Sequence, residues 1–89
     1  MITAGQIRAA RALLGIDQRT LAEAASLSVP TIQRMEANEG VIRGNVESLM
    51  KLVSALEALG IEVIGDNAAS SGGGRGVRLH APAPARPAR

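Results

Sequence analysis

The groups best suited to chemistry in this 89-residue chain are concentrated in one stretch, QRTLAEAASLSVPTIQRME, residues 18–36. Gln18 and Gln33 carry amides, Arg19 and Arg34 carry guanidiniums, and Ser28 and Thr31 carry hydroxyls. An amide can bond adenine at N6 and N7, and a guanidinium fits guanine O6 and N7 or a phosphate. These are recognition groups. The serines have no plausible base near them, so the stretch offers no nucleophilic catalysis.

Recognition groups work only if something holds them outward. Leu21, Ala22, Ala25, Leu27, Ile32 and Met35 can all face inward on two short helices, which leaves Gln18, Arg19, Gln33 and Arg34 outside. Capping signals mark the boundaries. Thr3 to Gln6 fits a capping box, with Ile2 and Ile7 as the hydrophobic staple around it. Ile7, Ala10 and Leu14 give that first helix one packing face, with Arg8 on the wet side, and Gly15 supplies a left-handed end. Asp17 caps a second helix that ends near Ala25. Ser26, Leu27 and Ser28 form the turn, and Ser28 caps a third helix that runs to Ala37 or Asn38. Pro30 lies in its first turn and disfavours helical geometry at Val29, so the start is open by one residue.

After a loop containing Arg43, Asn45 caps a longer helix to Leu59, and Gly60 ends it. Val46, Leu49, Met50, Leu52, Val53, Leu56 and Leu59 cover about half of that cylinder at roughly 100° per residue, wider than one packing partner demands. Ile61 to Ile64 reads as a strand, Gly65 to Gly76 as a loop and Val77 to Leu79 as a second strand. A lone hairpin is marginal in water, so it must pack on the fourth helix or on another chain. The segment 80–89, rich in Ala, Pro and Arg, cannot bury apolar surface and is expected to be disordered. The organisation expected is residues 1–60 as the helical domain, 61–79 as a hairpin and 80–89 as a tail.

Composition narrows the classes further. The chain has 46% hydrophobic residues but no Phe, Tyr or Trp, so its core must be aliphatic. Without cysteine, disulfides and thiolate metal sites are excluded. No apolar run approaches the roughly 20 residues of a membrane span, and no signal peptide precedes the first helix. A cytoplasmic location, on the nucleoid when bound to DNA, is expected. The net charge of +2 belongs to the tail: residues 75–89 hold four arginines and no acid, whereas residues 1–74 hold six basic and eight acidic residues. The run SSGGGRG at 70–76 lacks the Gly-Lys-Ser/Thr ending of a phosphate loop. The single histidine, His80, has no Cys or His neighbour, so no metal, cofactor or catalytic centre is implied.

Two helices joined by a three- or four-residue turn can hold the second in a DNA major groove. On that reading Gln33 meets an adenine edge, Arg34 a guanine edge or a phosphate, Val29 a thymine methyl, and Gln18, Arg19 and Arg43 hold phosphates. One reader helix covers one half-site, so a homodimer on an inverted-repeat operator is expected. Its interface is expected from the fourth helix and the hairpin, through Leu52, Leu56, Leu59, Ile61, Val63, Val77 and Leu79. The alternative is a protein-interaction module on the same scaffold, such as an antiactivator or an antitoxin-like adaptor, with an activator or a toxin as partner.

The pattern of Arg11, Gln18 with Leu21 and Ala22, then Ser28 with Thr31, Ile32, Met35 and Glu36 resembles the Cro/C1-type helix-turn-helix family, also called the XRE family. The resemblance covers about residues 3 to 56. It implies a mainly α, four-helix, lambda-repressor-like domain; the short C-terminal hairpin stands where the family commonly has a fifth helix. It also implies DNA approach by Gln18, Val29, Pro30 and Arg34, and a buried structural ion pair between Arg11 and Glu36. The family usually has glycine in the turn where this chain has Ser26, so a somewhat altered turn is expected.

Overall fold

The computed structural model describes residues 2–37, 40–42, 44–65 and 73–79. Four helices and a two-stranded antiparallel hairpin follow in order, and the chemistry of each boundary explains its position. Helix α1 (Ala4–Leu14) starts from a complete capping box: the Gln6 N–H donates to Thr3 Oγ1 at 3.1 Å, and the Thr3 N–H donates to Gln6 Oε1 at 2.8 Å. It ends on Gly15 at φ 69°, a left-handed conformation that glycine adopts without penalty. Asp17 caps helix α2 (Gln18–Ala25) by accepting the Thr20 N–H at 2.8 Å, and that bond holds its carboxyl below the usual range.

Ser26 closes α2 at φ 57° and ψ 40°, the one non-glycine with positive φ among the described residues. The turn therefore keeps the left-handed geometry that glycine would supply, and the chain bears the strain. A left-handed L-residue costs about 1–2 kcal/mol, and glycine costs about 0.5–1 kcal/mol in chain entropy. Ser26→Gly is therefore expected to stabilise the fold by about 0.5–1 kcal/mol on balance. Thermal unfolding followed by circular dichroism measures this, and an unchanged or lower midpoint would remove the strain argument.

Helix α3 (Val29–Ala37) begins at Val29, with Ser28 Oγ accepting the Thr31 N–H at 3.2 Å. Pro30 is thus one residue inside the first turn, where its missing N–H has no intrahelical partner to lose. Helix α4 (Val46–Ala58) is capped by Asn45, whose Oδ1 accepts the Ser48 N–H at 2.7 Å. It stops one residue short of the expected Leu59, and the chain turns at Gly60 with φ 99°. The core is aliphatic throughout, with Ile7, Leu21, Ile32, Leu52, Leu56 and Ile61 fully enclosed.

The segment between α3 and α4 does more than connect. The Ala4 N–H donates to the Gly40 carbonyl at 3.2 Å, and the Ile42 N–H donates to Ile2 at 3.1 Å. This short antiparallel contact, with Thr3 opposite Val41, accompanies the burial of Ile2 and Ile42 in the common aliphatic core.

Strand β1 (Ile61–Ile64) pairs with β2 (Gly76–Leu79), with Ile61 opposite Leu79 and Ile64 opposite Gly76. β2 thus begins one residue before the expected Val77. The hairpin folds back onto its own chain, β1 against α4 and β2 against α1. This corrects the expected dimer surface. Leu52, Leu56 and Ile61 are 0%, 0% and 1% exposed, so they belong to the core of the single chain and offer nothing to a second one. Leu59, Val63 and Val77 are half-buried, and only Leu79 of that set is exposed. Arg43, His80 and the 80–89 tail lie outside the described residues. Among the described residues, no helix is long and apolar enough to cross a membrane.

Candidate nucleic-acid interface

The back of α3 is held by three residues. Ile32 and Met35 are buried in the aliphatic core, and Glu36 is buried beside them with a charge that must be balanced. Arg11 of α1 balances it in a two-pronged contact: Nε donates to Glu36 Oε2 at 2.7 Å and Nη2 donates to Oε1 at 2.8 Å. A third guanidinium nitrogen, Nη1, donates to the Ile16 carbonyl at 3.3 Å, which ties the α1–α2 turn to the same arginine. Burial alone would push the Glu36 carboxyl up. The hydrogen bonds from Arg11 and Gln18, with the charges of Arg11 and Arg8, outweigh it and hold the carboxyl below its ordinary value. The Arg11 guanidinium is correspondingly held above its own, chiefly by the bond to Glu36.

Gln18, at the first position of α2, donates from Nε2 to Glu36 Oε1 at 3.2 Å. Its amide is therefore not a free arm. One N–H is engaged, and the other N–H and the carbonyl remain for a contact outside. Arg8, expected on the wet side of α1, is exposed as a residue yet donates from Nη1 to the Glu36 backbone carbonyl at the end of α3. It supplies a cation and a donor where the last turn of a helix leaves carbonyls unpaired. The signal for this was the i, i+3 spacing of Arg8 and Arg11, which puts both guanidiniums on one side of α1.

The front of α3 is bare. Pro30, Gln33, Arg34 and Ala37 are exposed, and Thr31 is half-buried. Val29 is half-buried and packs partly against the core, so less of it faces outward than its position suggested. Ser28 Oγ lies 2.8 Å from Thr31 Oγ1, and Arg34 Nη2 donates to that Thr31 oxygen at 3.3 Å. These links run along one side of α3 and restrict the Arg34 guanidinium before any ligand arrives. Arg19 is exposed on the first turn of α2. Arg43 falls outside the described residues, so its relation to this surface is not part of the geometry. No group of His, Cys, Asp and Glu among the described residues is arranged to hold a metal ion.

A helix packed at its back, polar at its front and entered through a tight turn from a shorter helix is a helix-turn-helix, the module that offers one helix to a major groove. A family profile described as Helix-turn-helix matches residues 7–63, more than half of the chain. The chain belongs to the Cro/C1-type helix-turn-helix family, the XRE family, a family of DNA-binding regulators. No curated protein matches the sequence.

Proposed function

We propose that this DNA-binding protein regulates transcription as a homodimer that reads an inverted-repeat operator, with α3 of each copy in a major groove. The observation that carries the reading is the division of α3, with Ile32, Met35 and Glu36 buried and Gln33 and Arg34 exposed. Gln33 bonds an adenine, Arg34 a guanine or a phosphate, and the outer part of Val29 with Pro30 touches thymine methyls or sugar. Gln18, Arg19 and Arg43 grip phosphates, and the hydroxyls of Ser28 and Thr31 work at the start of α3. The Thr31 bond restricts Arg34 and so lowers the entropy lost on binding. Action on the nucleoid, in the cytoplasm, follows from that role.

Few hydrogen-bonding groups face the bases, so each counts. Arg34→Ala and Gln33→Ala are each expected to weaken operator binding by about 5- to 150-fold, the value of one good base contact of about 1–3 kcal/mol. Circular dichroism should stay helical, since both residues are exposed. Gel-shift titration measures the effect, and unchanged affinity in both variants would sink the assigned reader face. Selection of bound sequences from a random DNA pool tests the whole reading, because an enriched palindrome reports binding, half-site spacing and two-fold symmetry together.

A protein-interaction role on the same scaffold is the second reading. It is favoured by the apolar outer face of α4, where Val46 and Met50 are 70% and 63% exposed. Salt separates the two: operator binding weakens steeply as counterions compete, whereas an apolar protein contact does not.

A further inference from the structure

We propose that a second copy of this chain docks on the outer face of α4, antiparallel and centred near Met50. The inference rests on the homodimer reading above and names the surface that makes the dimer. Val46 and Met50 are the most exposed large apolar side chains among the described residues. With Ser54 they form a row at i, i+4 and i+8 along α4. A groove runs on each side of that row. One lies between α4 and β1 and is lined by Leu49, Val53 and Val63. The other lies between α4 and the end of α2 and is lined by Ala24, Ala25 and Ala58.

A ridge with an apolar groove beside it is complementary to itself. Rows at i, i+4 interdigitate when two helices cross, and a two-fold axis lets each copy supply both ridge and groove. A small ligand in either groove would leave the Met50 ridge in water. An occupant that covers the ridge must carry grooves of its own, and this chain does.

Charge selects the orientation. Glu47 and Lys51 pair at 3.7 Å along one flank of the ridge. In an antiparallel crossing near Leu49 and Met50, Glu47 approaches the partner's Lys51, and Lys51 approaches the partner's Glu47. A parallel two-fold crossing would place the two Glu47–Lys51 flanks on opposite sides of the seam and form neither contact. Val46 also lies at the start of α4, one loop from the end of α3, so a contact there fixes the distance between the two reader helices.

Sedimentation equilibrium on the full chain without DNA, at tens of micromolar, is expected to give a dimer. Met50→Glu should weaken the dimer at least about thirtyfold, as loss of a central apolar anchor does, while circular dichroism stays unchanged. Glu47→Lys and Lys51→Glu should each weaken self-association, and an equimolar mixture of the two should recover the dimer, because each then faces its opposite. A wild-type monomer would overturn the proposal and the homodimer reading, leaving operator binding by gel shift to be judged separately. A dimer indifferent to Met50→Glu would overturn the α4 surface and leave the homodimer standing. Failure of the mixture to recover would overturn the antiparallel arrangement.

Discussion

Arg11→Ala should lower folding stability by about 3 kcal/mol, the usual effect of removing one partner from a buried ion pair, and the thermal midpoint by roughly 15 °C for a chain of this size. The reason is the carboxylate left behind. Glu36 is only 6% exposed, and both its oxygens are held by Arg11. Gln18 alone cannot replace a bidentate cation. The damage is directional, because Glu36 is in the last turn of α3 and Arg11 also holds the Ile16 carbonyl between α1 and α2. Loosening the pair frees the reader helix from the helix that orients it, so operator affinity should fall with stability.

Acid distinguishes this pair from ordinary packing. In the wild type the folded Glu36 carboxyl is held below its ordinary value of 4.5. Its contribution is therefore present above that pH and is lost as pH falls through the lower, folded value. In Arg11→Ala the cation is gone and burial, the largest influence on this carboxyl, pushes it up. The sign then reverses, and the variant should lose stability relative to the wild type as pH rises from about 4 toward 7. Replacing both partners, as Arg11→Met with Glu36→Leu, should recover much of the loss, because an apolar pair removes the stranded charge. Thermal unfolding at several pH values measures all three, and a pH-independent deficit in Arg11→Ala would show that packing rather than charge is responsible.

Gln6→Leu is expected to cost about 2–3 kcal/mol, since each polar group stranded in a buried site costs about 1–3 kcal/mol. Gln6 is 4% exposed and uses its whole amide. Its oxygen accepts the Thr3 N–H, and its nitrogen donates to the Ile64 and Gly76 carbonyls at 2.9 and 2.8 Å. Those carbonyls belong to the residue pair at the loop end of the hairpin, so one side chain caps α1 and fastens the sheet to it. Gln6→Glu is the sharper variant. It keeps the acceptor for Thr3 but sets a carboxylate against two carbonyl oxygens, and protonation in acid returns one donor. Amide hydrogen exchange should show the hairpin opening in either variant while α2 and α3 stay protected. Equal loss of protection across all elements would mean that the hairpin is integral to the fold and not a separately fastened unit.

Residues 2–37 were largely legible in the sequence because their signals are local. The Thr3–Gln6 box, the Asp17 and Ser28 caps and the end at Gly15 each depend on residues three or four positions apart, and each is formed. The Arg11–Glu36 pair joins positions 25 residues apart and came only from family resemblance. The inferred reader face followed from the same local periodicity, since burying Ile32 and Met35 leaves Gln33 and Arg34 outside.

The sequence by itself thus determined the helices, their caps and the division of α3 into a buried and an exposed side. Tertiary structure alone decided where the hairpin goes, and with it which apolar residues remain on the surface. The width of the apolar face on α4 showed that more than the helical core must cover it, but an apolar residue carries no mark of which neighbour it will meet. Gln6 reaches 58 and 70 positions along the chain to hold the hairpin, and Ile61, Leu52 and Leu56 are enclosed in one core. On α4, Val46 and Met50 stay exposed. The physical reason is that burial is non-directional and depends on area, whereas a cap is a directed bond between near neighbours.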